Sequence, residues 1–166
     1  MTAPHSRDGT AASSLRLSRT VTESRYRRLV EDVMNDGRID AVGELVSRDA
    51  VVSRAGEPEP LRGPDGITAR VQSYRTAFSD HHLEVESVLT AGTQLVARWT
   101  MTGTHDGPFE GVEPTGVGVS VDGVHVVRVE NGAIVELWEL LDTLTLRRQL
   151  GMVDAVDGAD HVAGRR

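Results

Sequence analysis

Residues 124–142 read VHVVRVENGAIVELWELLD. The Val-, Ile- and Leu-rich runs on either side of Asn131-Gly132 are strands by composition, and the Asn-Gly pair is a hairpin signal because both residues accept positive φ. The register of that hairpin decides which side chains share a face, since a one-residue slip turns every side chain over. A two-residue loop pairs Glu130 with Ala133 and sends His125 and Glu139 to opposite faces. A three-residue loop, Glu130-Asn131-Gly132, pairs Val129 with Ala133, and Gly132 suits the left-handed position that such a bulged turn needs. In this second register, the favoured one, His125, Val127 and Val129 share a face with Val135, Leu137, Glu139 and Leu141. His125 then lies opposite Leu137, with Glu139 as its diagonal neighbour roughly 7–8 Å away.

A carboxyl and an imidazole framed by Val and Leu suit acid/base chemistry. Desolvation raises a carboxyl pKa toward the working range, and a neighbouring imidazole can share the proton. The plainer alternative stays open on pattern alone: Glu139 faces solvent at a strand end and His125 is a satisfied core histidine.

Working upstream, Leu83–Leu89, Gln94–Thr104 and Val117–Val129 also read as strands, with a Gly/Pro-rich loop over 105–116. Before residue 80 the period changes. Tyr26, Leu29, Val30, Val33 and Met34 recur at helical spacing over Thr22–Asn35, with Thr22 as candidate N-cap and Gly37 just past the end. A short helix follows over Asp40–Val46, then a loop over Arg54–Pro64. A third helix opens near Pro64, with Ile67, Val71, Tyr74 and Phe78 on its apolar face. Thr143–Leu150 forms a final amphipathic turn or two. Helices first and a meander of strands after them make an α+β domain, with helices packed on one face of a curved antiparallel sheet. Residues 21–151 form that domain, flanked by a disordered tail over 1–20 and a flexible tail over 152–166.

Composition limits the chemistry. The 166 residues carry a net charge of −7, which disfavours nucleic acid and anionic membranes as partners. No apolar run approaches the roughly 18 residues a membrane span needs, and no secretory signal is visible, so the cytoplasm is the default compartment. The chain has no Cys, which excludes disulfides, thiolate nucleophiles and Cys-ligated metals. Every basic residue among its 18 is Arg, so Schiff-base chemistry through Lys is excluded too. Asp, Glu, His, Tyr, Ser and Thr remain. His81 and His82 are adjacent, and adjacent strand residues point to opposite faces, which argues against a metal site. No metallohydrolase spacing appears elsewhere, and no cofactor is expected.

The block Val124–Glu136, followed by Trp138-Glu139-x-x-Asp142 and Arg148-Gln149-Leu150-Gly151, resembles the C-terminal half of SnoaL-like polyketide (ester) cyclases. Gly103-Thr104-His105-Asp106-Gly107, Gly111–Gly116, Tyr74-Arg75-x-x-Phe78-x-Asp80 and Asn35-Asp36-Gly37 support it, and the likeness spans roughly Tyr26–Gly151. The resemblance implies an NTF2-like cone and a homodimer packed through the sheet. It also implies ring closure on a polyketide-like substrate by intramolecular aldol chemistry without metal or cofactor. The family's pocket His falls on His125. Its acid/base Asp falls on Glu139, a departure that keeps the carboxyl and extends it by one methylene. The same pair could open an epoxide to form a cyclic ether, and a non-catalytic protein assisting a partner oxygenase is a further alternative.

Other residues complete the candidate site. Trp99 and Met101 share a strand face with Leu95 and Ala97, and either line the pocket or fill the core. Val127 and Leu137 would frame the His125–Glu139 pair. Tyr26 and Tyr74 sit on apolar helix faces, where their hydroxyls either reach the pocket or stay in the core. His105 either contacts a ligand or bonds loop backbone. Asp142 is expected to cap the last helix.

Overall fold

A computed structural model describes residues 8–153. The chain begins with α1 (Asp8–Arg28), which continues without a break as a π-helical segment over Leu29–Asn35. A 3-10 turn over Ile39–Ala41 leads into α2 (Val42–Leu45) and then β1 (Val46–Arg54). After β2 (Leu61–Arg62) comes α3 (Gly63–Ala77), then β3 (His82–Ala91), β4 (Gln94–Thr104), β5 (Gly118–Glu130), β6 (Ala133–Leu141) and α4 (Thr143–Gln149).

The fold is the expected α+β arrangement. The sheet runs β2-β1-β6-β5-β4-β3, and every neighbouring pair is antiparallel except β1 and β6, which run parallel. Helical side chains and the inner sheet face build one core. The apolar face expected from Tyr26, Leu29, Val30, Val33 and Met34 is buried, and so are Ile67, Val71 and Tyr74 of α3. Pro64 stands at the start of α3, where its missing N–H is not needed. Asp142 caps α4 by accepting the Thr145 amide at 2.9 Å.

Several details differ from the sequence reading. Part of the tail expected over 1–20 lies outside the described residues; its described part, from Asp8, is the start of α1, and Ser13–Thr20 is largely exposed. Thr22 is consequently no N-cap: its hydroxyl donates to Ser18 O or Gly92 O, tying α1 to the β3–β4 turn. Of the tail expected over 152–166, residues 154–166 are outside the described part. The largest omission is β1. Its burial alternation is broken by an irregularity between Val46 and Val51, and Ser47, Arg48 and Asp49 interrupt its apolar residues.

The decisive hairpin also differs in detail. Glu130 pairs with Ala133 across a two-residue turn, and both Asn131 (φ 50°) and Gly132 (φ 77°) take positive φ, as a type I′ turn requires. The bulge lies in β6 instead: Val129 pairs with Ile134 but Arg128 pairs with Glu136, so Val135 is the extra residue. Beyond it His125 stands directly opposite Glu139 instead of diagonally from it, and Ile134 takes the buried place expected for Val135.

Candidate active site

The sheet places the site one rung at a time. On the inner face Glu139 of β6, His125 of β5 and Ala97 of β4 stand side by side. The next rung on that face holds Leu141, Gly123 and Trp99. The small residues make room for the large ones. The Trp99 indole lies across Gly123, where an added Cβ would come 2.2 Å from the ring. Its ring centroid is 4.9 Å from that of His125.

These side chains open into one internal cavity, walled on the sheet side by Trp99, Met101, His125, Leu137, Glu139 and Leu141. The opposite wall comes from the helices, chiefly Ile67, Arg70, Val71 and Tyr74 of α3. About 480 Å³ between them, part of it open to solvent, is unfilled by atoms.

Glu139 is only 6% exposed. It is not the lone carboxyl that the sequence reading pictured. Arg54, at the end of β1, pairs with Glu139 across the parallel β1–β6 contact, and its Nη2 lies 3.0 Å from Oε2 and 3.2 Å from Oε1, with Nε 3.3 Å from Oε2. Both side chains are more than nine-tenths buried, so solvent does little to screen this ion pair. The Arg54 guanidinium also sits 5.2 Å from the Tyr74 ring centroid, a cation–π contact, and reaches Glu57 at 3.5 Å. Glu57 in turn is held by Arg70. The result is an alternating row, Glu139–Arg54–Glu57–Arg70, whose two end members line the cavity.

His125 has the opposite problem: no room for a charge. Burial pushes its pKa down to about 4, with Arg54 adding to the effect and Glu139 opposing it. The ring is therefore neutral at neutral pH. Its Nδ1 is 3.0 Å from the Tyr26 hydroxyl. Burial pushes the Tyr26 phenol above its usual range, so that group keeps its proton. The hydroxyl has no other acceptor among the described residues, so it donates to Nδ1. That bond selects the tautomer in which Nε2 carries the hydrogen and is the ring's free donor.

The other expected site residues divide. Trp99, Met101 and Leu137 line the cavity with Glu139 and His125. Tyr26 does not; it lies behind His125 and orients it. Val127 is fully buried in the core one rung away from His125, and it does not line the cavity either. His105 is buried outside the cavity, where its Nδ1 meets the Thr115 hydroxyl at 3.0 Å and accepts the Thr115 amide at 3.3 Å, pinning the 105–116 loop. The sequence reading missed Arg54 and Arg70 and treated His81 only as half of a histidine pair. Among the described residues no group of three or more His, Asp or Glu is placed to hold a metal.

The model of the family described as SnoaL-like polyketide cyclase matches residues 24–150. The chain belongs to that family. It is 34% identical over 127 residues to aklanonic acid methyl ester cyclase DauD of Streptomyces sp. (strain C5), covering 75% of this chain and 78% of that one. DnrD of Streptomyces peucetius, an enzyme of the same name, is also 34% identical, with 75% and 87% covered. Among solved structures, a SnoaL-like protein from Jannaschia sp. CCS1 superimposes with a TM-score of 0.76 over 92% of this chain and all of its own, at 21% identity, which speaks to fold alone. IdmH of Streptomyces antibioticus reaches a TM-score of 0.69 at 29% identity, covering 78% of this chain and 98% of its own.

Proposed function

We propose that this SnoaL-like chain is a polyketide cyclase that closes a ring by intramolecular aldol chemistry, on a substrate of the kind its relatives are named for, aklanonic acid methyl ester. The observation that carries the reading is the His125–Glu139 pair, opposed on neighbouring strands inside one apolar cavity.

The roles follow from the charges. Glu139, fixed by Arg54, is a carboxylate and so acts first as a base, taking a proton from a carbon activated by flanking carbonyls. The enolate carbon then attacks the accepting carbonyl of the same molecule. The alkoxide so formed recovers the proton from Glu139, which returns to its starting state. His125 is neutral and keeps its own proton; its Nε2–H is a fixed donor toward the oxygen on which negative charge develops. Arg54 serves twice, orienting the carboxylate and placing a permanent positive charge beside the developing anion. The apolar walls hold the two carbons near attack distance, where proximity contributes several kcal/mol.

The same features weigh against epoxide opening. That chemistry starts with an acid, either protonated His125 or protonated Glu139. The imidazole loses its proton above about pH 4, and the carboxylate is held in an ion pair.

The outer face of the sheet supports a homodimer. Trp138, Val126, Val96 and Leu89 stand in one row across β6, β5, β4 and β3, with Val96 and Leu89 well exposed. A second copy packed face to face would cover that stripe.

The experiment is direct. Purified protein and aklanonic acid methyl ester, without added cofactor, should give a product of unchanged mass and altered retention, since aldol closure only isomerises. Recovery of unaltered substrate under conditions in which a known relative turns over would refute the proposal.

A further inference from the structure

The same cavity holds polar atoms that the acid/base scheme does not use. Tyr74 Oη, His81 Nδ1, Trp99 Nε1 and Arg70 Nε are all buried without a hydrogen-bond partner, and all four residues line this cavity. Two further buried orphans, Thr90 Oγ1 and His105 Nε2, belong to residues that do not. Buried polar side-chain atoms are paired in the large majority of cases, so four around one cavity are a concentration that packing does not explain. Tyr74, His81 and Trp99 are each more than nine-tenths buried.

Their chemistry is specific. The Tyr74 hydroxyl and the Trp99 N–H are donors; a phenol buried beyond its usual titration range keeps its hydrogen, and an indole has nothing else to offer. Burial, together with the nearby Arg75, pushes the His81 pKa down, so that ring is neutral and has one nitrogen able to accept. Tyr74 and His81 have ring centroids 6.0 Å apart, and the Trp99 ring packs on His125. Two donors and one nitrogen that can accept, separated by aromatic and aliphatic surface, complement a flat ring that carries carbonyl oxygens and a hydroxyl.

We propose that Tyr74, Trp99 and His81 form a recognition set for an oxygenated aromatic ketone: Tyr74 and Trp99 donate to its carbonyl oxygens and His81 accepts from a ring hydroxyl. The proposal rests on the cyclase reading for its location and deepens it by naming what the non-reacting part of the substrate presents. It assigns these side chains to affinity and orientation, not to proton transfer. Arg70, whose two Nη atoms are occupied by Glu57, leaves Nε as an additional donor among the residues lining the cavity.

Three two-ring probes separate the contributions: tetralin, which has no oxygen, 1-tetralone, which adds a carbonyl, and 6-hydroxy-1-tetralone, which adds a hydroxyl too far from that carbonyl to bond it. Affinities come from calorimetry, and the indole N–H of Trp99 is followed by nitrogen–proton correlation spectroscopy, with the Trp138→Phe variant identifying which of the two indole signals is Trp99. The expected order is hydroxytetralone tighter than tetralone, and tetralone tighter than tetralin by about tenfold. The Trp99 signal should move downfield with the ketones and not with tetralin. Tyr74→Phe should weaken tetralone by roughly five- to tenfold and leave tetralin unchanged, and His81→Leu should erase only the hydroxyl's gain. Equal binding of tetralin and tetralone, binding of none of them, or an unmoved Trp99 signal would overturn the proposal. Repeating the series in Glu139→Gln keeps the two readings apart: the discrimination should persist there whether or not Glu139 is the acid/base group.

Discussion

Arg54 and Glu139 hold each other as a buried ion pair, and Glu57 is a second, more distant partner of Arg54. Replacing Arg54 by Met keeps the length and apolar stem of the side chain but strands the carboxylate. The Arg54 side chain is 9% and the Glu139 side chain 8% exposed, so water has little access to take over the lost contact. Removing one partner of a buried pair costs about 3–5 kcal/mol, a large part of the 5–15 kcal/mol that holds a domain together. Replacing both, as Arg54→Met with Glu139→Leu, removes the stranded charge and should recover most of the loss, because an apolar pair of similar volume packs into the same space. A double-mutant cycle by urea denaturation at neutral pH measures this, with an expected coupling above about 2 kcal/mol. Additive losses from the two single variants would refute the picture of a buried, mutually dependent pair.

His125 is buried neutral with its pKa lowered to about 4 from 6.5; protons therefore favour the unfolded chain, and stability should fall by about 3 kcal/mol as pH drops from 6.5 toward 4. The stability difference between wild type and His125→Gln should narrow over that window and stay constant above it, which chemical denaturation at a series of pH values checks; a constant difference throughout would contradict the neutral-burial account. Val96→Glu, in the middle of the outer apolar row, should convert a sedimenting dimer to a monomer with the fold retained, whereas a wild-type chain that sediments as a monomer at tens of micromolar would refute the face-to-face pairing.

Much of this arrangement was legible in the sequence, and the failures have physical causes. The helical stripe of α1 and the alternation of β4, β5 and β6 are strong periodic signals, and they gave the right layers. The hairpin shows how far periodicity reaches. One extra residue somewhere near Asn131 was needed to put His125 and Glu139 on the same face, and the pattern pointed to the turn. The turn takes the favoured two-residue form and the extra residue is Val135, because parity of faces is unchanged by where a bulge lies while the exact partner is not. β1 was missed because its irregularity and its polar run Ser47-Arg48-Asp49 erase the two-residue period. With β1 went Arg54, whose pairing with Glu139 depends on a parallel contact between strands some 80 residues apart, a relation no local pattern contains. Tyr26 was correctly placed on an apolar face, but its bond to His125 depends on how α1 crosses the sheet. His105 and Val127 are buried side chains whose types suit a pocket; only the packing shows that they serve the loop and the core.

In the proposed mechanism the Glu139 carboxylate carries a proton from carbon to oxygen during ring closure. Its most direct test is single-turnover cyclisation by Glu139→Gln, an isosteric change that keeps the side chain's length and removes its basicity. The rate should fall by at least ~10²-fold with substrate affinity preserved to within a few-fold. A variant that cyclises at close to the wild-type rate would contradict the account.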